Sequence, residues 1–153
     1  VRGGTHNVPS IVGAGASCGR MNNPYVKAMQ EKQSLRDKFE KALEDRLGAL
    51  VNGKGTSRVW NTSNLSFPGI PSEVLLVRLD QAGIAASRGS ACASGSTKPS
   101  HVLLSMGLDR GRVLSSIRFS FLPSVTEAEI DQGIEIIEEC VRELRKHRYD
   151  EVR

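Results

Sequence analysis

Cys92 stands in the run Arg88-Gly89-Ser90-Ala91-Cys92-Ala93-Ser94-Gly95-Ser96, where every neighbour from Gly89 on is very small. Gly89 and Gly95 loosen the backbone on either side, and no bulky side chain shields the sulfur. A thiol on such an arm can be carried toward a substrate and then away from it. The plainer reading is a small buried cysteine in a turn, because free cysteine often fills cores. Arg118 lies in Ser115–Phe121, where Ile117, Phe119 and Phe121 alternate with it. On a strand that spacing turns the guanidinium away from the apolar face. There it suits a bidentate grip on a carboxylate, with an ordinary ion pair to a nearby Asp or Glu as the competing reading. Asn61 joins Arg118 as a candidate substrate contact, although it and Asn64 can equally bond only to neighbouring backbone. Arg2-Gly3-Gly4-Thr5 puts a hydroxyl after two glycines that admit close approach, a weak pattern for a phosphate. His6, His101 and His147 offer no base by pattern, and surface or packing roles fit all three. His101 is the one candidate for Cys–His chemistry, and nothing in the spacing favours it.

The chain has 153 residues, enough for one domain with a real core. Its formal charge of +4 is mild and scattered along helices, which gives nucleic-acid binding little support. No apolar run approaches the roughly 20 residues that span a bilayer. The three cysteines, Cys18, Cys92 and Cys140, form no CxxC pair and no Cys/His cluster with zinc-site spacing, so no metal site is expected. A reducing, cytoplasmic setting with free thiols is the simplest reading. Cys140 falls among Ile136, Ile137 and Val141 and reads as packing, whereas Cys18 suggests no chemistry. The start, Val1-Arg2-Gly3-Gly4, has neither a signal region nor an initiator Met, which fits a fragment or a processed chain.

The elements that must position these groups follow from periodicity. Val8 to Ala16 reads as a small-residue helix packed tightly against something. Asn22-Asn23-Pro24 opens a long helix from Tyr25 to Leu50, with Leu35, Phe39, Leu43, Leu47 and Leu50 as its apolar stripe. Glu31, Lys32, Asp37, Lys41, Glu44 and Arg46 form its solvated face, with an i,i+4 pair between Asp37 and Lys41. Val51 to Gly55 reads as a turn and Asn61 to Phe67 as a strand. Ser72 caps a helix that runs through Leu79 and Ala82 to Gly83. Ile84 to Ser87 is a short strand leading into the Cys92 loop. Pro99-Ser100 starts a short helix ending at Gly107, and Ser115 to Phe121 is the second clear strand. Thr126 and Glu129 have capping-box spacing for a last helix with Ile130, Ile134, Ile137, Val141 and Leu144 inward. Short strands separated by helices predict a two-layer α/β (α+β) domain, mainly an antiparallel sheet with helices on one side.

Taken in order, these segments resemble the C-terminal part of a cysteine desulfurase, of the class-V branch of pyridoxal-phosphate enzymes. The matching pieces are Arg2-Gly-Gly-Thr5 with Val12-Gly13, Asn61-Thr-Ser-Asn64-Leu-Ser-Phe67, Gly89-Ser-Ala-Cys92, Lys98-Pro-Ser-His-Val-Leu-Leu-Ser-Met-Gly-Leu108 and Ser115-Ser-Ile-Arg118-Phe-Ser120. The resemblance implies the small C-terminal domain of the aspartate-aminotransferase-like fold type I over residues 23–153, preceded by the tail of the large cofactor-binding domain over 1–22. It implies Cys92 as nucleophile and persulfide carrier, Arg118 on the carboxylate of substrate L-cysteine, and L-alanine as the other product. Thr5 would bind the phosphate of pyridoxal 5′-phosphate in the neighbouring subunit of a homodimer. The sulfur acceptor would be an iron–sulfur scaffold or another acceptor protein.

The family's cofactor lysine, ring-stacking histidine and pyridinium-binding aspartate lie upstream of the Arg-x-Gly-Thr segment, and Lys27 and Lys98 fall in the wrong segments to replace the lysine. Alone, then, these residues are expected to be inactive. Two rival readings remain. One is a non-catalytic module that accepts a persulfide on Cys92 and passes it to a scaffold. The other keeps the fold but changes the reaction, to a selenocysteine lyase or a class-V aminotransferase. Against transamination stands Cys92 itself, since that reaction needs no mobile thiol.

Overall fold

The computed structural model describes residues 3–20, 23–88 and 99–150. Helix α1 (Val8–Gly19) starts at Asn7, whose Oδ1 accepts from the Ser10 N–H at 3.2 Å, with Pro9 in the first turn. The helix was expected; its tight packing is not made. None of its residues is buried, and Val8, Ile11 and Val12 are 58%, 59% and 64% exposed.

Helix α2 (Asn23–Leu47) buries Phe39, Leu43 and Leu47 along the expected stripe. It ends before Leu50 because Gly48 adopts φ +64°. The Gly48 and Ala49 N–H groups then close the last turn onto Glu44 and Leu43. Leu50 therefore leaves the helix stripe and enters β1 (Leu50–Val51), as does Val51, which had read as turn; the turn begins at Asn52. The Asp37–Lys41 pair is not formed either. Asp37 is taken by Arg36 at 2.6 Å and Lys41 by Asp45 at 3.2 Å.

β1 pairs antiparallel with β2 (Thr62–Ser66), and β2 pairs antiparallel with β3 (Ser116–Ser120), in the order β1-β2-β3. Both long strands are one residue shorter at each end than their sequence patterns. The stretch Ile84–Ser87 is not a strand; it contributes a single antiparallel bridge, Ser87 to Arg118.

Helix α3 (Ser72–Gln81) is preceded by Pro71 as N-cap and has no side-chain cap bond. Ser72 thus lies inside the helix, its Oγ buried without a hydrogen-bond partner among the described residues. Gly83 at φ +83° ends it, as expected. Ser100 caps α4 (His101–Ser105) through the Leu103 N–H at 3.4 Å. A further short helix, α5 (Arg110–Leu114), was not foreseen; Asp109 caps it through the Arg112 N–H at 3.0 Å. Helix α6 (Glu127–Asp150) opens on the expected capping box. Glu129 Oε2 accepts from the Thr126 N–H at 2.7 Å, and Thr126 Oγ1 accepts from the Glu129 N–H at 3.2 Å.

The core lies between the sheet and the layer of α2, α3 and α6. Leu43, Leu65, Leu75, Leu79, Ile117, Ile137 and Val141 are all essentially inaccessible. Phe119 meets Phe39 edge-on at 5.2 Å and Phe67 at 6.5 Å. Two charged side chains on α2 are also buried, and both hold the chain leading into β2. Glu40 takes Arg58 bidentately at 2.7 and 2.8 Å, and Arg36 donates to the Val59 carbonyl at 2.6 Å.

Candidate functional site

The register of β2 against β3 divides the sheet by chemistry. Ser63, Leu65, Ile117 and Phe119 share the helix-covered face. Thr62, Asn64, Ser66, Ser116, Arg118 and Ser120 share the other, which is wholly polar. Arg118 therefore projects from the face opposite the core, half-buried, with Asn64 directly across from it on β2. On its other side β3 meets Ser87. The Ser87 N–H donates to the Arg118 carbonyl at 3.0 Å, and the Arg118 N–H donates back to Ser87 at 2.8 Å. The next residue, Arg88, pairs with Glu73 near the start of α3. The chain is thus pinned at Ser87–Arg88 just before the segment that carries Cys92. Cys92 itself lies outside the described residues.

A buried polar network, missed in the sequence, lies on the same face beside Arg118. Asn52 is buried and uses every polar atom of its side chain. Its Nδ2 donates to Asn64 Oδ1 at 2.6 Å and to Ser116 Oγ at 2.8 Å, while its Oδ1 accepts from Arg112 Nε at 2.7 Å. Arg112 also donates to the Val51 carbonyl at 3.0 Å, and Ser116 Oγ donates to the Arg112 carbonyl at 2.7 Å. Asn64 consequently bonds through its side chain, not merely to neighbouring backbone. Asn61 sits one residue before β2; its carbonyl accepts from the Phe121 N–H at 2.8 Å and its Oδ1 from Thr62 Oγ1 at 3.3 Å. It is three residues from Asn64, so Asn64, not Asn61, is the cross-strand neighbour of Arg118.

Thr5 is fully on the surface, remote in sequence from this face, beside Gly4 at φ +135°. A Cβ added at Gly3 or Gly4 would meet no atom within 4 Å, so the described residues do not enclose a phosphate there. The lysines Lys32, Lys38, Lys41 and Lys54 are each engaged elsewhere: with the Val125 carbonyl, Glu127 and Asp131, Asp45, and Glu44 respectively. None of these is disposed to hold an aldehyde cofactor. A guanidinium such as that of Arg118 and a hydroxyl such as that of Thr5 are groups that can bind anions, and the described residues around Thr5 enclose none.

His6 and His101 are exposed. Cys18 is exposed on α1, whereas Cys140 is buried, and that burial pushes its thiol above the ordinary range. Among the described residues no group of three His, Cys, Asp or Glu is placed to hold a metal. None of their helices is long and apolar enough to cross a membrane.

Comparison with known proteins gives this geometry its context. The aminotransferase class-V family profile matches residues 1–132. The cysteine desulfurase of Trichormus azollae is 44% identical over 145 residues, covering 94% of this chain and 36% of that protein. A solved NifS-like protein superposes with a TM-score of 0.78 at 33% identity, over 92% of this chain and 35% of its own. The NifS-like protein of Rickettsia africae superposes with a TM-score of 0.77 at 28% identity, over 92% and 36%. The chain therefore spans about a third of the length of these relatives. Its small antiparallel sheet with helices on one side is part of the aminotransferase fold that the NifS-like structures share. With the profile running through all three strands, the Ser87 bridge and the start of α6, the chain belongs to the class-V aminotransferase family and is similar, within it, to the cysteine desulfurases.

Proposed function

We propose that this chain is the C-terminal part of a cysteine desulfurase, with residues 1–22 closing the large domain and residues 23–153 forming the small one. In the complete protein, a cytoplasmic homodimer, pyridoxal 5′-phosphate supplies the electron sink that weakens the Cβ–Sγ bond of L-cysteine. Arg118 grips the substrate carboxylate from the polar face of the sheet, with Asn61 as a further substrate contact. Thr5 donates to the cofactor phosphate of the neighbouring subunit. Cys92 attacks the substrate sulfur as a thiolate. An S–S bond forms and the Cβ–Sγ bond breaks; its electron pair stays on carbon, which takes a proton to become L-alanine. Cys92 keeps the sulfur as a persulfide until a thiolate of an acceptor protein, an iron–sulfur scaffold in this reading, removes it.

One observation carries this reading beyond family likeness: the paired hydrogen bonds between Ser87 and Arg118. They tie the root of the Cys92 segment to the residue that grips the substrate. Cys92 is four residues past Arg88, so covalent geometry alone keeps its Cα within about 14 Å of that of Arg88. A thiol so tethered reaches a substrate held at Arg118 without any domain motion.

The test uses the complete protein. Fed L-cysteine, it should release alanine and gain the mass of one sulfur atom, on the peptide containing Cys92. Cys92→Ser should lose both, and unchanged alanine release by that variant overturns the assignment. Sulfur uptake from another persulfide with no alanine formed identifies a carrier instead. Turnover confined to selenocysteine identifies a lyase.

A further inference from the structure

We propose that Asn52, held by Arg112, is a positioning residue for the Arg118 guanidinium, acting through Asn64. This rests on Arg118 being the carboxylate grip. Arg118 and Asn64 face each other across β2 and β3, where opposed side chains lie close enough to restrict one another. Arginine carries many rotamers, and a carboxylate is gripped bidentately only if the fork is held in one orientation. Directly across from Arg118 on β2 is Asn64, whose Oδ1 is fixed by Asn52 Nδ2 at 2.6 Å.

Asn52 is itself over-determined. Its second Nδ2 hydrogen goes to Ser116 Oγ, its Oδ1 to Arg112 Nε, and its backbone N–H to the Asn64 carbonyl at 2.8 Å. The Asn64 side chain is thereby anchored through a buried residue to both β3 and α5. Such a fully satisfied network resists reorientation, because turning any member strands a buried polar atom. The bond from Asn52 Nδ2 to Asn64 Oδ1 specifies which way the Asn64 amide turns across from Arg118.

Asn52→Asp separates these roles. The carboxylate keeps, and strengthens, the bond from Arg112 Nε, yet has no hydrogen to give Asn64 or Ser116. In the complete enzyme this variant should still fold, with a lowered melting temperature because Asn64 Oδ1 and Ser116 Oγ lose their donor, and keep kcat within about twofold, while KM for L-cysteine rises about tenfold. Binding of the product L-alanine, read by calorimetry, should weaken by the same factor, since it shares the carboxylate. Arg118→Ala is the control. If it leaves KM and alanine affinity unchanged, the carboxylate grip is wrong and this inference falls with it. If Arg118→Ala weakens both but Asn52→Asp weakens neither, the inference alone is overturned. Should Asn52→Asp fail to fold, Arg112→Met decides. It releases the Asn52 carbonyl while keeping the aliphatic stem, and the same loss of alanine affinity is expected; parent affinity overturns the inference.

Discussion

Cys18 and Cys140 show how far the surroundings of one residue decide its chemistry. Cys140 is nearly inaccessible on α6, with its Sγ 3.9 Å from the Arg78 carbonyl. Burial raises its pKa, with Arg78 opposing only in part, so the thiol stays protonated and slow to react. Cys18 lies on an exposed helix surface. In the Cys92→Ser form of this chain, a thiol reagent at neutral pH should modify Cys18 within the mixing time of a fast assay. Cys140 should react only as the core opens, and equal rates for the two would show that the α3–α6 contact is not closed in solution. The packing role of Cys140 was legible from its apolar neighbours at helical spacing. So was the direction of Arg118, because strict alternation along one strand leaves only two faces to choose between. Asn52 was not legible. Followed by glycine it reads as turn chemistry, and the groups that engage it come from positions 64, 112 and 116, which no local pattern joins.

At the scale of the element, the ends separate what is local from what is not. The Thr126–Glu129 box was readable because both partners lie within one turn of each other. Glu129 is held below its ordinary carboxylate value, first by the Thr126 backbone N–H and then by the Thr126 hydroxyl. A lowered folded-state value means that the ionised carboxylate stabilises the fold at neutral pH. That contribution is lost as pH falls through the folded-state value. Thr126→Ala, which removes the hydroxyl and keeps the backbone N–H, should lower stability at neutral pH in urea unfolding. The difference from the parent should shrink in acid, where Glu129 protonates in both proteins; a penalty independent of pH would assign the effect to the hydroxyl cap alone. By contrast, the extent of β1 depends on strand pairing: Leu50 and Val51 join the sheet because Ser66 and Leu65 lie opposite them. Ile84–Ser87 fails as a strand for the same kind of reason. Its helix-exit turn leaves only Ser87 within reach of β3, where one bridge forms.

The whole molecule is well packed in one part and bare in another. The second half of α2, Ala49 and Val51, the sheet, α3 and α6 contribute to one core, while residues 3–20 contribute nothing to it. The Asn7 cap and Pro9 explain where α1 starts, but its glycines and β-branched residues are weak helix formers, and nothing in the cap explains Val8, Ile11 and Val12 on its surface. The sequence pattern made the same point from the other direction, since a small, apolar helix such as Val8–Ala16 is built for close packing. A short isolated helix is only marginally stable in water, and apolar side chains held side by side on it favour association. The chain on its own should therefore sediment with a coefficient that rises with protein concentration. Ile11→Glu together with Val12→Lys should abolish that rise without lowering the melting temperature, because neither side chain touches the core. If the parent chain instead stays monomeric over a wide concentration range, α1 is not an associating surface. The reading of Val8–Ala16 as a helix built to pack tightly against something would then lose its physical basis.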